Sequence, residues 1–102
     1  MKNMWFVSKE IFYCSNGKSE MKGIIGVFSD RQNAVNFARQ KIMDYVLDWN
    51  ENRRHDAITT YSTRIIEDNS ENSSGMFRSY NEDGDACIRV RFYELLVETD
   101  CR

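Results

Sequence analysis

Three cysteines, one histidine and sixteen carboxylates are this chain's stock of groups able to bind a metal, attack a carbonyl or move a proton. Their spacing argues against all three uses. Cys14, Cys87 and Cys101 stand far apart, and His55 is the single histidine. No C-x2-4-C or H-x3-5-H pair therefore presents two metal ligands from one turn. His55 lies in Asn52-Arg53-Arg54-His55-Asp56, where Asp56 would orient it as a general base. The adjacent arginines disfavour its protonated form, and the polar run reads as a solvated helix end. Carboxylates cluster in turns and polar loops, so no acid–base pair stands out. The phosphate-loop, dinucleotide, nucleophile-elbow and metalloprotease patterns are all missing. Asn81-Glu82-Asp83-Gly84-Asp85 fails as a calcium loop, because position 1 would be Ser79 and position 12, where a bidentate Glu belongs, would be Val90. The chain is expected to be non-enzymatic, with no cofactor and no metal.

What remains is chemistry of binding. A turn at Asp83-Gly84 pairs Arg78 with Arg89, Tyr80 with Cys87 and Met76 with Arg91. One sheet face then carries Arg78, Arg89, Arg91, Tyr80 and Tyr93, while Phe77, Ile88 and Val90 point to the core. Guanidinium groups beside aromatic rings suit phosphate contact and base stacking, the mode of single-stranded nucleic-acid binding. They suit an acidic protein partner equally, and they suit a solvated face whose arginines pair with Glu82, Asp83, Asp85 and Glu94. A second set, Trp5, Ile11, Tyr13 and Ile24, forms an apolar patch if Phe6, Phe12, Ile25 and Val27 take the face beneath the helix. Such a patch marks a homodimer or partner interface, unless residues 57–66 or the C-terminal tail cover it. Reversing Arg89 and Arg91 to glutamate is then expected to weaken partner binding and leave the fold intact.

These sites need elements to carry them. At 102 residues, 41% hydrophobic and 29% charged, the chain has the balance of one globular domain. Residues 4–14 are aromatic and β-branched and predict a strand. Asn16-Gly17 predicts a two-residue hairpin turn into residues 19–28, placing Phe6 opposite Val27, Ser8 opposite Ile25 and Phe12 opposite Met21. Gly23 and Gly26 in that strand read as structural, allowing close approach of the helix or a ring. Ser29, with Gln32 three residues on, has the pattern of a helix N-cap. Ala34, Val35, Ala38, Ile42, Tyr45, Val46 and Trp49 then recur at helical spacing, predicting an amphipathic helix over 30–50. Residues 57–66 are β-branched and favour a strand over a short helix. The polar run 67–75 predicts a mobile loop, and 76–98 a second hairpin with a bulge near Glu94-Leu95. The order hairpin, helix, uncertain segment, hairpin predicts an α+β two-layer sandwich: an antiparallel sheet of four or five strands with one long helix on one face.

The core formed by Trp5-Phe6-Val7-Ser8-Lys9-Glu10, Ile24-Ile25-Gly26-Val27-Phe28-Ser29, Asn33-Ala34-Val35 and Ala38 resembles a class of small single-domain proteins of fungi and phages. The resemblance covers residues 4–42, and more weakly 86–97, where a late strand runs from Val90. It implies the two-layer fold and a cytosolic setting. The class carries no assigned activity, so the resemblance implies no functional residue.

Charge and compartment complete the expectation. Fourteen basic against sixteen acidic residues leave −2, which gives no bulk attraction to nucleic acid or anionic membrane. No apolar run approaches the roughly 18 residues of a membrane span, and no leader is recognisable at the N-terminus. Three free thiols then fit a reducing, cytoplasmic setting, in which the Asn72-Ser73-Ser74 sequon is inert. The expected function is a protein-interaction module that binds a protein partner or itself, through Trp5, Ile11, Tyr13 and Ile24 and through Arg89, Arg91 and Tyr93. Single-strand nucleic-acid binding on the arginine face is the alternative.

Overall fold

The computed structural model describes residues 2–52, 59–69 and 73–98. They form β1 (Lys2–Tyr13), β2 (Lys18–Phe28), α1 (Arg31–Asn52), β3 (Ile66–Asn69), β4 (Gly75–Tyr80) and β5 (Ala86–Val97). The strands make one antiparallel sheet in the order β2-β1-β5-β4-β3. The two hairpins are thus joined by their outermost members in sequence, β1 and β5, whose twelve paired residues make the spine of the sheet. α1 lies across one face, as an amphipathic stripe must when only one sheet is on offer. The α+β two-layer architecture is as the pattern of elements predicts.

The inner face follows from strand alternation. Val7 pairs with Phe92 and Ile11 with Ile88 across β1–β5, and Val90 pairs with Phe77 across β5–β4. These side chains, with Trp5, meet Ala34, Val35, Ala38, Ile42 and Val46 of α1 in the core. Alanine at 34 and 38 lets the helix backbone approach the sheet. Gly26, opposite Val7, does the same for a ring: a Cβ there would stand 2.8 Å from the Phe37 ring and 2.9 Å from Phe28. That is the close-approach role expected of a strand glycine.

Several expected details differ, each for a local reason. The first hairpin keeps Phe6 opposite Val27, but then slips: Ser8 faces Ile24, not Ile25, and Phe12 faces Ser19, not Met21. β2 holds an extra residue at each of two bulges, the second with Met21 at φ 54°, and the chain turns through residues 14–17 with Gly17 at φ 67°. Gly17 N–H donates to the Tyr13 carbonyl at 2.8 Å, closing a four-residue turn where two residues were expected. Bulges on an edge strand also spoil its template for pairing with another chain. No bulge occurs at Glu94-Leu95, since β1 pairs with β5 without interruption.

The helix N-cap is Asp30, not Ser29: Asp30 Oδ1 accepts from the Asn33 backbone N–H at 2.8 Å. Both residue types cap well, and Asp adds negative charge at the positive helix end. Of the expected strand 57–66, residues 57 and 58 lie outside the described residues, and Thr59 to Ile65 form no ladder, bending at 63–64, with a single bridge between Tyr61 and Asn81 among the described residues. Asn50 holds this segment to the helix end, donating from Nδ2 to the Tyr61 carbonyl and accepting from its N–H. The expected loop 67–75 instead contributes most of β3. Ile66–Asn69 pairs with β4 despite its polarity, secured by Glu67 to Arg39 and Asp68 to Arg78.

Candidate functional site

Alternation places Phe6, Ser8, Glu10 and Phe12 of β1 on the face opposite α1. With them lie Arg89, Arg91 and Tyr93 of β5, Arg78 and Tyr80 of β4, and Ile24 and Val27 of β2. Among the described residues no second layer lies over this outer face. Its side chains cover one another, in two unlike halves.

The first half is a charged cluster centred on Glu10. Although it belongs to the solvent side of the sheet, Glu10 is only 7% exposed. Its Oε2 accepts from Arg89 Nη2 at 2.6 Å and from Ser19 Oγ at 2.8 Å, and Arg91 Nη1 lies 3.7 Å from Oε1. The Arg89 guanidinium in turn covers the Phe12 ring, 4.2 Å from its centroid. Burial alone would raise the Glu10 carboxyl pKa. The hydrogen bonds from Arg89 and Ser19 and the two arginine charges outweigh it, so the pKa is lowered from its ordinary 4.5. A carboxyl lowered in the folded state stabilises the fold above its unfolded pKa and loses that contribution as pH falls through the folded one. The urea stability of wild type is therefore expected to exceed that of Glu10→Gln by more at about pH 7 than at about pH 3.5. A pH-independent difference between the two proteins would contradict the ion cluster.

Arg78 stands directly opposite Arg89 in the β4–β5 ladder and pairs with Asp68 at 3.7 Å. Among the described residues, the buried Nε–H groups of both Arg78 and Arg89 find no acceptor. Three guanidinium groups thus share two carboxylates on this part of the face. Among the described residues, these arginines pair with Glu10 and Asp68 and not with Asp83, Asp85 or Glu94. Glu10 was the residue missed by sequence reasoning. Its signal was a lone carboxylate in mid-strand, on the face opposite Val7 and Ile11.

The second half is apolar. Phe6 stacks on Tyr93 with centroids 6.0 Å apart, and Ile24, Val27 and Leu95 flank the pair, each with 49% or more of its surface open. Ile24, at 59%, is among the most exposed large apolar residues described. The expected grouping of Trp5, Ile11, Tyr13 and Ile24 does not occur. Trp5 and Ile11 are core residues at 7% and 9% exposure, and Tyr13 packs against that core. Ile24 faces the opposite way, because the β2 bulge reverses its alternation relative to β1. On β1 the two faces are exchanged relative to expectation: Phe6 and Phe12, expected beneath the helix, belong to the open face, as does Val27 of β2, whereas Ile25 packs against the core as expected.

Of the nucleophiles and bases considered earlier, His55, Asp56 and Cys101 lie outside the described residues, as does Asn72 of the sequon. Cys14 is exposed in the first turn, and Cys87 is buried on the outer side of β5. Burial pushes the Cys87 thiol pKa up, against the pull of Arg89, which keeps it protonated and a poor nucleophile. A cleft of about 120 Å³ lies beside α1 between Ile11, Met21, Tyr45, Trp49 and Ile88, with Lys9 and Asp48 at its rim. No group of three or more His, Cys, Asp or Glu able to hold a metal occurs among the described residues, and no described helix is long and apolar enough to cross a membrane.

Comparison with protein-family models, curated proteins and solved structures gave no match. The functional reading rests on the geometry alone.

Proposed function

We propose that this chain is a non-enzymatic protein-interaction module that docks a partner on the outer face of its sheet. One observation carries the reading: the Phe6–Tyr93 stack with Ile24, Val27 and Leu95 forms an open apolar cluster directly beside an arginine cluster. Exposed apolar groups gathered in one place cost solubility unless something binds them. Aromatic and arginine side chains are also the types enriched where proteins meet. The cytoplasmic setting expected from the cysteine count goes with this reading.

The test is site-specific crosslinking. A photo-crosslinker at position 95 on the outer face is expected to capture a discrete partner that one at position 40, on the helix, does not. Ile24→Asp should abolish that capture without unfolding the protein. Equal capture from both positions, or none from either, overturns the reading. A partner that proves to be the same chain, seen as a doubled mass by light scattering and lost in Ile24→Asp, would make the module a homodimer.

Single-stranded nucleic acid is the second reading, favoured by the interleaving of arginine and aromatic residues. The rings are already engaged, however. Phe6 stacks on Tyr93, and Phe12 lies under Arg89. Nucleic acid would require affinity for an oligothymidine that falls steeply with salt, since phosphate contacts release counterions.

A further inference from the structure

We propose that Arg78, Arg89 and Arg91 form a carboxylate-binding subsite, so that the docked partner presents an acidic segment of a protein. The proposal rests on the docking face argued above and names the chemistry of what docks there.

The cluster itself supplies the reasons. Each arginine already holds a carboxylate of this chain: Glu10 lies between Arg89 and Arg91, and Asp68 against Arg78. The chain's own contacts therefore display the chemistry these groups accept. Among the described residues, two carboxylates against three guanidinium groups leave one positive charge unmatched. Arg78 and Arg89 are directly opposite in register, where like charges repel, and neither Nε–H finds an acceptor among the described residues. Arg91, opposite Met76 and diagonal to Arg78, keeps 48% of its side chain open. It is the group an incoming anion meets first. A carboxylate there adds charge-assisted hydrogen bonds and relieves the repulsion between the two arginines behind it.

Charge also decides between a second copy and a foreign partner. Two copies docked through this face would bring two arginine clusters together. The described acids on this face, Glu10 and Asp68, are already held by its own arginines, and Glu82, Asp83 and Asp85 lie at the turn of the second hairpin. The face therefore complements an acidic protein better than itself.

The experiment titrates the folded protein with a hexaglutamate peptide and follows the backbone and arginine Nε–H resonances by NMR. The expected result is saturable shifts at Arg78, Arg89, Arg91 and Met76, with affinity at least tenfold weaker in Arg91→Gln. Arg78→Gln should weaken it as well, while the rest of the spectrum keeps its dispersion. No shift with hexaglutamate overturns the proposal. So does equal affinity for inorganic phosphate, which would mean that any small anion suffices, and so does tighter binding of oligothymidine, which would make the face a nucleic-acid surface. The two readings fail separately. If Ile24→Asp abolishes partner capture while Arg78→Gln and Arg91→Gln do not affect it, the docking face stands and the subsite falls. If hexaglutamate binds and Ile24→Asp costs no capture, the subsite stands and the apolar docking face falls.

Discussion

Replacing Arg89 by glutamate is expected to destabilise the fold by about 3 kcal/mol, whatever it does to binding. Arg89 is the main partner of Glu10, a carboxylate that the sheet almost wholly removes from water. Deleting one member of such a pair leaves a buried charge uncompensated and costs roughly 3–5 kcal/mol; a second carboxylate beside Glu10 adds repulsion. Two effects pull the other way. Arg91 still reaches Glu10 at 3.7 Å, and the new acid would attract Arg78 where Arg89 repelled it. A cross-strand charge pair is worth only about 0.2–1 kcal/mol, so the loss wins. Reversing both Arg89 and Arg91 thus cannot serve as a clean binding test, contrary to what the sequence suggested. Urea unfolding of Arg89→Glu, of Glu10→Arg and of the charge-swapped double variant measures the pair. The double variant should recover about 1 kcal/mol or more over additivity. Additive effects, or a single-variant cost below about 0.5 kcal/mol, would show that Arg89 is a solvated surface residue.

Phe92→Ala is expected to cost about 3–5 kcal/mol, the range for removing a large aromatic side chain from a packed core. Phe92 has no exposed surface. Its ring lies 6.5 Å from Trp5 and 5.8 Å from Phe77, and the Arg31 guanidinium packs over it at 5.4 Å. It therefore ties β1, β4, β5 and the start of α1 together at one point, and no neighbour on a strand can move far enough to fill the space. With a urea slope of roughly 1–2 kcal/mol per molar, the midpoint should fall by about 1.5–5 M, followed by the fluorescence of the neighbouring Trp5. Leu95→Ala, three residues further along β5 and on the open face, should cost about 0.5 kcal/mol or less. Similar losses at the two positions would mean that the two faces are wrongly assigned.

The second hairpin was legible because its signals agree. Asp83-Gly84 marks the turn, Gly84 takes φ 72° there, and Ile88, Val90 and Phe92 alternate without interruption. The register that sets Arg78 against Arg89 follows from those residues alone. The helix was equally clear, since its apolar spacing survives any tertiary context; only the cap differed, Asp30 taking the place expected of Ser29. The first hairpin was not legible beyond Val7. Two β2 bulges shift its pairing, and Met21 at φ 54° is a conformation that no residue type in that strand announces.

Local pattern also failed to say which face of β1 lies under the helix, because both faces carry apolar groups. The β1–β5 ladder decides it. By setting Val7 beside Phe92 and Ile11 beside Ile88, it draws Trp5 inward and leaves Phe6 and Tyr93 outside. The same ladder brings Glu10 to Arg89 across 79 residues of chain. β3 forms for a similarly remote reason, its polar residues finding backbone partners on β4 and charge partners on Arg39 and Arg78. The sequence by itself determined the class of fold, the helix and the arginine row, because those depend on period, turn chemistry and pairing between neighbours. Only the tertiary structure decided which apolar residues are core and which are surface, and which acid the arginines hold. Both depend on contacts between strands that are adjacent in the sheet and distant in the chain, and local sequence carries no record of that distance.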